Sequence, residues 1–195
     1  MKIARCPISI FRTIPIVFCA RALLVPSMKR DPVLSRRSVR RYTAEDVDDE
    51  DVRKLLEAAM AAPSAGNERP WHFVVVRDKE TLQRLMEVHP HANALKECAG
   101  AILVCGDPSL ERYPGFWPQD CSAATENILI MAVELGLGAV WLGTYPIEER
   151  VDGMRRALGI PATIVPFALV PFGHPAEETK PIDRFDATRV HEERW

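Results

Sequence analysis

Arg36, Arg37, Ser38 and Arg40 place three guanidinium groups and a hydroxyl within five residues. A guanidinium is a planar, permanently charged fork that donates paired hydrogen bonds. This set can therefore grip a phosphate, each charged bond contributing about 1.5–3 kcal/mol. A solvated basic surface would use the same residues. A second candidate is the loop Pro63-Ser64-Ala65-Gly66-Asn67-Glu68-Arg69-Pro70. Its small residues leave backbone groups free, and the Asn67 amide offers a donor and an acceptor to a flat heterocycle, although an ordinary turn has the same composition. The third is Gly136-Leu137-Gly138-Ala139-Val140-Trp141-Leu142-Gly143-Thr144. Here the glycines close a helix and lead into a strand, the reverse of a dinucleotide fingerprint, so a Rossmann site is not expected. Gly136 and Gly138 read as a helix stop, whereas Gly143 at the strand's end lets a ring or backbone come close.

Other reactive residues add little. His89 and His91 flank Pro90 without a Cys or carboxylate partner, so an exposed loop is expected and no metal site. His72, His174 and His191 read as structural or surface groups. The five cysteines form no CxxC pair, which suits small buried apolar side chains in a reducing cytoplasm.

The 195 residues suffice for one domain that buries roughly 70% of its unfolded surface. A net charge of −2 gives no general attraction to nucleic acid. Residues 1–27 differ in composition from the rest, and Arg12, Pro15 and Arg21 interrupt their apolar run too often for a membrane helix. They read as a mis-called start or a disordered extension ahead of a domain at 28–195, with Met28 as the alternative start.

Several elements must position the three candidates. An acidic run, Asp46–Asp51, opens a helix whose buried stripe is Val52, Leu55, Leu56, Ala59 and Met60 and which Pro63 ends. Trp71–Val76 reads as a strand, and Asp78 as the cap of a helix carrying Leu82, Leu85 and Met86. Ala101–Cys105 is expected as a central strand buried on both faces. The stretch 107–118 reads as a long ordered loop whose Tyr113, Phe116 and Trp117 either cover a ligand or pack on the core. The core helix follows from Asp120 to Leu135. Then come a strand at Ala139–Leu142, a helix at Ile147–Leu158, and a strand at Val165–Phe172 whose Pro166 and Pro171 favour an edge or bulged position. The tail after Gly173 makes no core alone. This order implies an α/β or α+β sandwich, helices covering a mixed sheet.

In combination, the stretches RRSVR, PSAGNERPWHFVVV, DCSAATENILIMAVELGLGAVWLG and PIDRFDATRVHEERW resemble the nitroreductase superfamily from about Ser35 to Trp195. The resemblance implies an α+β sandwich that forms an intertwined homodimer with two FMN sites at the subunit interface, the tail wrapping onto the partner. It makes Arg36, Arg37 and Ser38 phosphate and ribityl contacts and Arg40 the cation near the flavin's pyrimidine edge. Pro63, Ser64 and Asn67 match the loop that meets this ring. Trp141, Leu142 and Gly143 correspond to the segment against the isoalloxazine, one backbone N–H reaching flavin N5, and Arg184 to a tail arginine that closes on phosphate.

The activity so implied passes hydride from NADH or NADPH through FMN to a small oxidised acceptor such as a nitroaromatic, quinone or enone, in ping-pong order. It requires no catalytic acid or base from the protein. The alternatives are a flavin-binding or storage protein without activity, a specialised dehalogenating or flavin-cleaving member, and a nucleic-acid binder using the arginines. A short segment, His89–Glu97, where deiodinases carry a long lid weighs against dehalogenation, and Ser38 in place of an acidic residue weighs against flavin cleavage.

Overall fold

The computed structural model describes residues 31–180 and 182–195, so the reading of residues 1–27 falls outside the described residues. The elements are α1 (Pro32–Ser35), α2 (Asp49–Met60), β1 (Trp71–Val76), α3 (Lys79–Val88), β2 (Gly100–Gly106), α4 (Trp117–Glu134), β3 (Gly138–Ala139), β4 (Leu142–Gly143), α5 (Glu148–Leu158) and β5 (Val165–Gly173). The strands pair in the order β1-β2-β5-β3, with β4 also on β5, and these pairings are antiparallel. A parallel component enters through an isolated bridge between Ser38 and Ala139.

Both faces of the sheet are apolar because alternate residues of β2 feed two cores. Ile102 and Val104 join Leu55, Ala124, Ile128 and Phe172 on the face covered by α2 and α4. Ala101, Leu103 and Cys105 join Leu82, Leu85, Met154 and Leu169 on the face covered by α3 and α5. Each fully buried aliphatic contributes about 1.5–3 kcal/mol, so these two layers hold the fold. Local signals fix the helix ends. Asp78 accepts from Thr81 N–H at the start of α3, and Gly136 (φ 73°) and Gly159 (φ 65°) take the left-handed conformation after α4 and α5.

Three expectations are corrected. Met60, the last residue of α2, is exposed instead of belonging to the buried stripe, although the same turn is still tied to α4 by Asn127 Nδ2 donating to Ala58 O at 2.9 Å. β5 lies inside the sheet between β2 and the β3–β4 edge, so of the edge or bulged position expected for its prolines the edge is corrected and the bulge holds for Pro166. Pro166 sits at a bulge, where the register against β2 shifts between Val104 and Cys105. Pro171 accepts from Val140 N–H at 3.3 Å but has no N–H to return, so the expected strand 139–142 is divided into β3 and β4. The third correction concerns His89, which is 2% exposed instead of lying in an open loop, while His91 is exposed.

Candidate functional site

After α1 the chain runs beside β3. Val39 N–H donates to Ala139 O at 3.0 Å, and the Val39 side chain fills the space above Gly138, where an added Cβ would come within 2.6 Å of Val39 Cγ1. This contact places Ser38 and Arg40, both exposed, next to the outer edge of the sheet. The arginines then diverge. Arg36 turns to α4, with Nε 3.1 Å from Glu126 Oε1. Arg37 spends its fork on carbonyls, Nε on Lys180 (3.0 Å), Nη1 on Leu34 (3.0 Å) and Arg36 (2.6 Å), and Nη2 on Ile182 (3.4 Å). It thereby latches the tail to the arginine segment. Arg40 has a 3.5 Å contact with Ser38 O and keeps an exposed guanidinium.

The register of the edge strand decides which N–H groups leave the sheet. Val140 and Thr144 direct their N–H groups to β5, onto Pro171 O and Phe167 O, and Leu142 lies opposite Leu169 with the same parity. In an antiparallel ladder the alternate residues turn both N–H and C=O away from the partner strand. Trp141 and Gly143 therefore present theirs at the outer edge, as Ala139 does in accepting from Val39. The Gly143 carbonyl is taken by two side chains, His89 Nε2 at 2.9 Å and Arg150 Nη1 at 2.8 Å. On the side where a Cβ would sit, Gly143 has no heavy atom within 4 Å. Burial, with Arg150 close by, pushes the His89 pKa below its ordinary value, against the opposing effect of the Gly143 hydrogen bond.

Pro63, Ser64 and Asn67 belong to a separate loop at the start of α4. Gly66, Asn67 and Arg69 all have positive φ (52°, 57° and 51°), which Gly and Asn tolerate and Arg rarely adopts. Ala65 N–H donates to Asp120 Oδ1 (3.0 Å), and Arg69 N–H to Ser64 Oγ (3.0 Å). Glu68 Oε1 accepts the N–H groups of Arg112 and Tyr113, so this loop and the 107–116 loop are fastened together. Asn67 is exposed. Asp120 is buried with Oδ2 unpartnered, and burial first, then the nearby Glu68 and Glu111, raises its pKa. Behind the loop Trp117 packs edge-on against Tyr145 (centroids 4.8 Å apart) and Phe167 (5.9 Å).

The structure thus brings Ser38 and Arg40 to the edge that carries Trp141, Leu142 and Gly143. No hydrogen bond or ion pair among the described residues joins the Pro63–Asn67 loop to that edge, and Arg184 lies exposed in the tail. Sequence reasoning missed His89, Arg150 and Asp120. A signal for His89 existed, since it continues the Leu82, Leu85, Met86 stripe of α3 by three residues. Among the described residues no cluster of His, Cys, Asp and Glu could hold a metal, and no helix is long and apolar enough to cross a membrane.

A two-faced antiparallel sheet, covered by helices on both sides and with an arginine segment docked on its outer edge, makes an α+β sandwich. The Nitroreductase family model matches residues 33–104 and 108–174, and the chain belongs to the nitroreductase family. It is 51% identical over 165 residues to a Methanothermobacter thermautotrophicus protein provisionally named NADH dehydrogenase/NAD(P)H nitroreductase, covering 85% of this chain and 86% of the relative. A crystal structure from Clostridium acetobutylicum, provisionally named an NADH oxidase, is similar at 44% identity and TM-score 0.82, covering 85% of this chain and 100% of that one. Another, a provisionally named nitroreductase in complex with FMN from Desulfovibrio desulfuricans, has 34% identity and TM-score 0.73, covering 84% and 95%.

Proposed function

We propose that residues 28–195 form an FMN-dependent NAD(P)H oxidoreductase that works as a homodimer. The observation that carries this reading is the outer edge of β3–β4. An exposed guanidinium (Arg40) and an exposed hydroxyl (Ser38) stand on the segment docked beside Ala139, the outward N–H groups of Trp141 and Gly143 follow on the same strand edge, and space is open over Gly143. That donor set fits a phosphorylated, flat, acceptor-rich ring. The D. desulfuricans relative binds FMN, and the M. thermautotrophicus relative is named for NAD(P)H oxidation.

Bound FMN supplies the hydride chemistry, accepting from a nicotinamide and delivering to a small oxidised compound in turn, a ping-pong order. The chain's part is to hold and tune. Arg36 and Ser38 hold the phosphate and ribityl groups, Arg184 closes on the phosphate, and Arg37 keeps tail and arginine segment together. Arg40 places positive charge at the pyrimidine edge, where electron density accumulates. The N–H of Gly143 serves N5, because the neighbouring Leu142 N–H points into the sheet. Pro63, Ser64 and Asn67, which do not reach that edge within one chain, meet the ring of the partner's site. The exposed apolar groups fit a shared interface: Val33, Leu34 and Met60, and in the tail Ile182, Phe185, Val190 and Trp195. Tyr113 and Phe116, exposed on the loop fastened to Asn67's, are placed to cover a planar acceptor. The acceptor class is a nitroaromatic, quinone or enone.

Anaerobic titration of the purified protein with NADH and with NADPH, followed by its visible spectrum, tests this. Bleaching of a bound-flavin spectrum by at least one of them, and its return on adding a quinone or nitroaromatic, is the expected result. A yellow protein that neither nicotinamide bleaches would instead be a flavin-binding or storage protein.

A further inference from the structure

Two helices on one face of the sheet send a side chain each to a single carbonyl. His89 follows the last turn of α3 and Arg150 stands in the first turn of α5, and both donate to Gly143 O, at 2.9 and 2.8 Å. His91 N–H lies 3.2 Å from His89 Nδ1. Nδ1 is therefore the acceptor and Nε2 carries the proton it gives to Gly143. The Arg150 guanidinium, its Nη1 3.4 Å from the same Nε2, disfavours a charged imidazole, while the His91 N–H on Nδ1 and the Gly143 carbonyl at Nε2 hold the neutral ring in this tautomer. A carbonyl at a sheet edge is readily satisfied by water, so burying an imidazole to reach it is not needed for hydrogen bonding alone. Its consequence is geometric. Gly143 has no side chain to restrain its backbone, and the carbonyl and N–H of one extended residue point the same way, so fixing the first aims the second.

Resting on the FMN reading above, we propose that His89 and Arg150 are positioning residues that clamp the Gly143 carbonyl and so hold the Gly143 N–H on flavin N5. They touch neither flavin nor substrate. The arginine segment and the tail, which hold the phosphate, are untouched by the clamp. Its loss should therefore separate flavin chemistry from flavin affinity.

The test compares the wild type with His89→Leu, His89→Gln and Arg150→Met, all loaded with FMN. Three quantities are read: the FMN dissociation constant, the stopped-flow rate constant of bleaching by NAD(P)H, and the exchange rate of the Gly143 amide in the FMN-bound protein. His89→Leu and Arg150→Met should keep near-wild-type affinity, bleach at least about tenfold more slowly, and exchange the Gly143 amide at least about tenfold faster. His89→Gln, which returns a donor to the carbonyl, should recover much of both. Should His89→Leu fail to fold, Arg150→Met at the half-buried start of α5 carries the comparison alone. A yellow wild type whose folded variants match it in bleaching and amide exchange overturns the clamp and leaves the FMN reading standing. A wild type that takes up no FMN overturns both.

Discussion

Substitution of Gly138 by Ala probes the contact that sets the arginine segment on the sheet edge without altering any residue proposed to touch FMN. A Cβ at this position would stand 2.6 Å from Val39 Cγ1, 2.7 Å from its Cβ and 2.9 Å from Cγ2. Carbon atoms pack at about 3.5–4.0 Å, so the two segments must separate by roughly 1 Å. Val39 cannot rotate clear, because a β-branched side chain is stiff at χ1 and its Cβ is itself one of the crowded atoms. Such overpacking costs about 1–3 kcal/mol, while the lower chain entropy of unfolded Ala returns about 0.4–1 kcal/mol. At the middle of both ranges the net loss is about 1.3 kcal/mol, which corresponds to a fall of roughly 3–5 °C in Tm for a domain of this size. Because the bond from Val39 N–H to Ala139 O joins the same segments, the shift should also displace Ser38 and Arg40 and weaken FMN binding. Thermal unfolding of the apo protein and fluorescence titration with FMN read the two effects. Val39→Ala removes two of the three crowding atoms, so the Gly138→Ala/Val39→Ala double variant should be more stable than the sum of the single losses predicts. Unchanged Tm and FMN affinity in Gly138→Ala, or strict additivity in the double variant, would refute this account of the edge.

Three further outcomes are expected. Gly153→Ala, mid-helix in α5, should destabilise despite the better helix propensity of Ala, because its Cβ would lie 2.4 Å from Val88 Cγ1 on α3; chemical denaturation should show a loss of about 1 kcal/mol or more. Asp120 has a raised pKa in the fold, so the unfolded chain loses its proton first and ionisation costs stability as pH rises from about 4, the unfolded value, through the folded one. Asp120→Asn should accordingly be more stable than wild type at neutral pH, with the advantage vanishing near pH 4 in urea titrations across that range. Arg40→Ala should weaken FMN binding about tenfold, as for loss of one charge-assisted hydrogen bond, and lower the two-electron potential in a dye-coupled titration; unchanged values in both would remove Arg40 from the site.

Local patterns in the sequence carry most of the fold. Trp71–Val76 is apolar and β-branched and forms β1 with those bounds, Asp78 caps α3, and the wholly apolar 101–105 lies in the interior of the sheet. What local patterns do not carry is long-range pairing. Pro171 reads as an edge signal, yet β5 is interior, since the neighbour that forgoes a hydrogen bond is the short edge strand. His89 lies on the apolar stripe of α3, but the carbonyl that draws it inside is 54 residues away. The chemistry of the proposed site is read from the residue types of Arg36–Arg40 and Trp141–Gly143. Their neighbourhood arises from the bridge between Ser38 and Ala139. Periodicity could not distinguish Arg37, committed to tail carbonyls, from Arg40, whose guanidinium is exposed.

The central claim is that FMN is held where two copies of the chain meet. Sedimentation velocity of the FMN-loaded protein, recorded both in the protein ultraviolet band and in the flavin visible band, tests it most directly. The expected result is a single boundary at twice the chain mass that carries both absorbances, with one FMN per chain. Flavin that stays at the meniscus while the protein sediments, or that travels with a single chain, would contradict it.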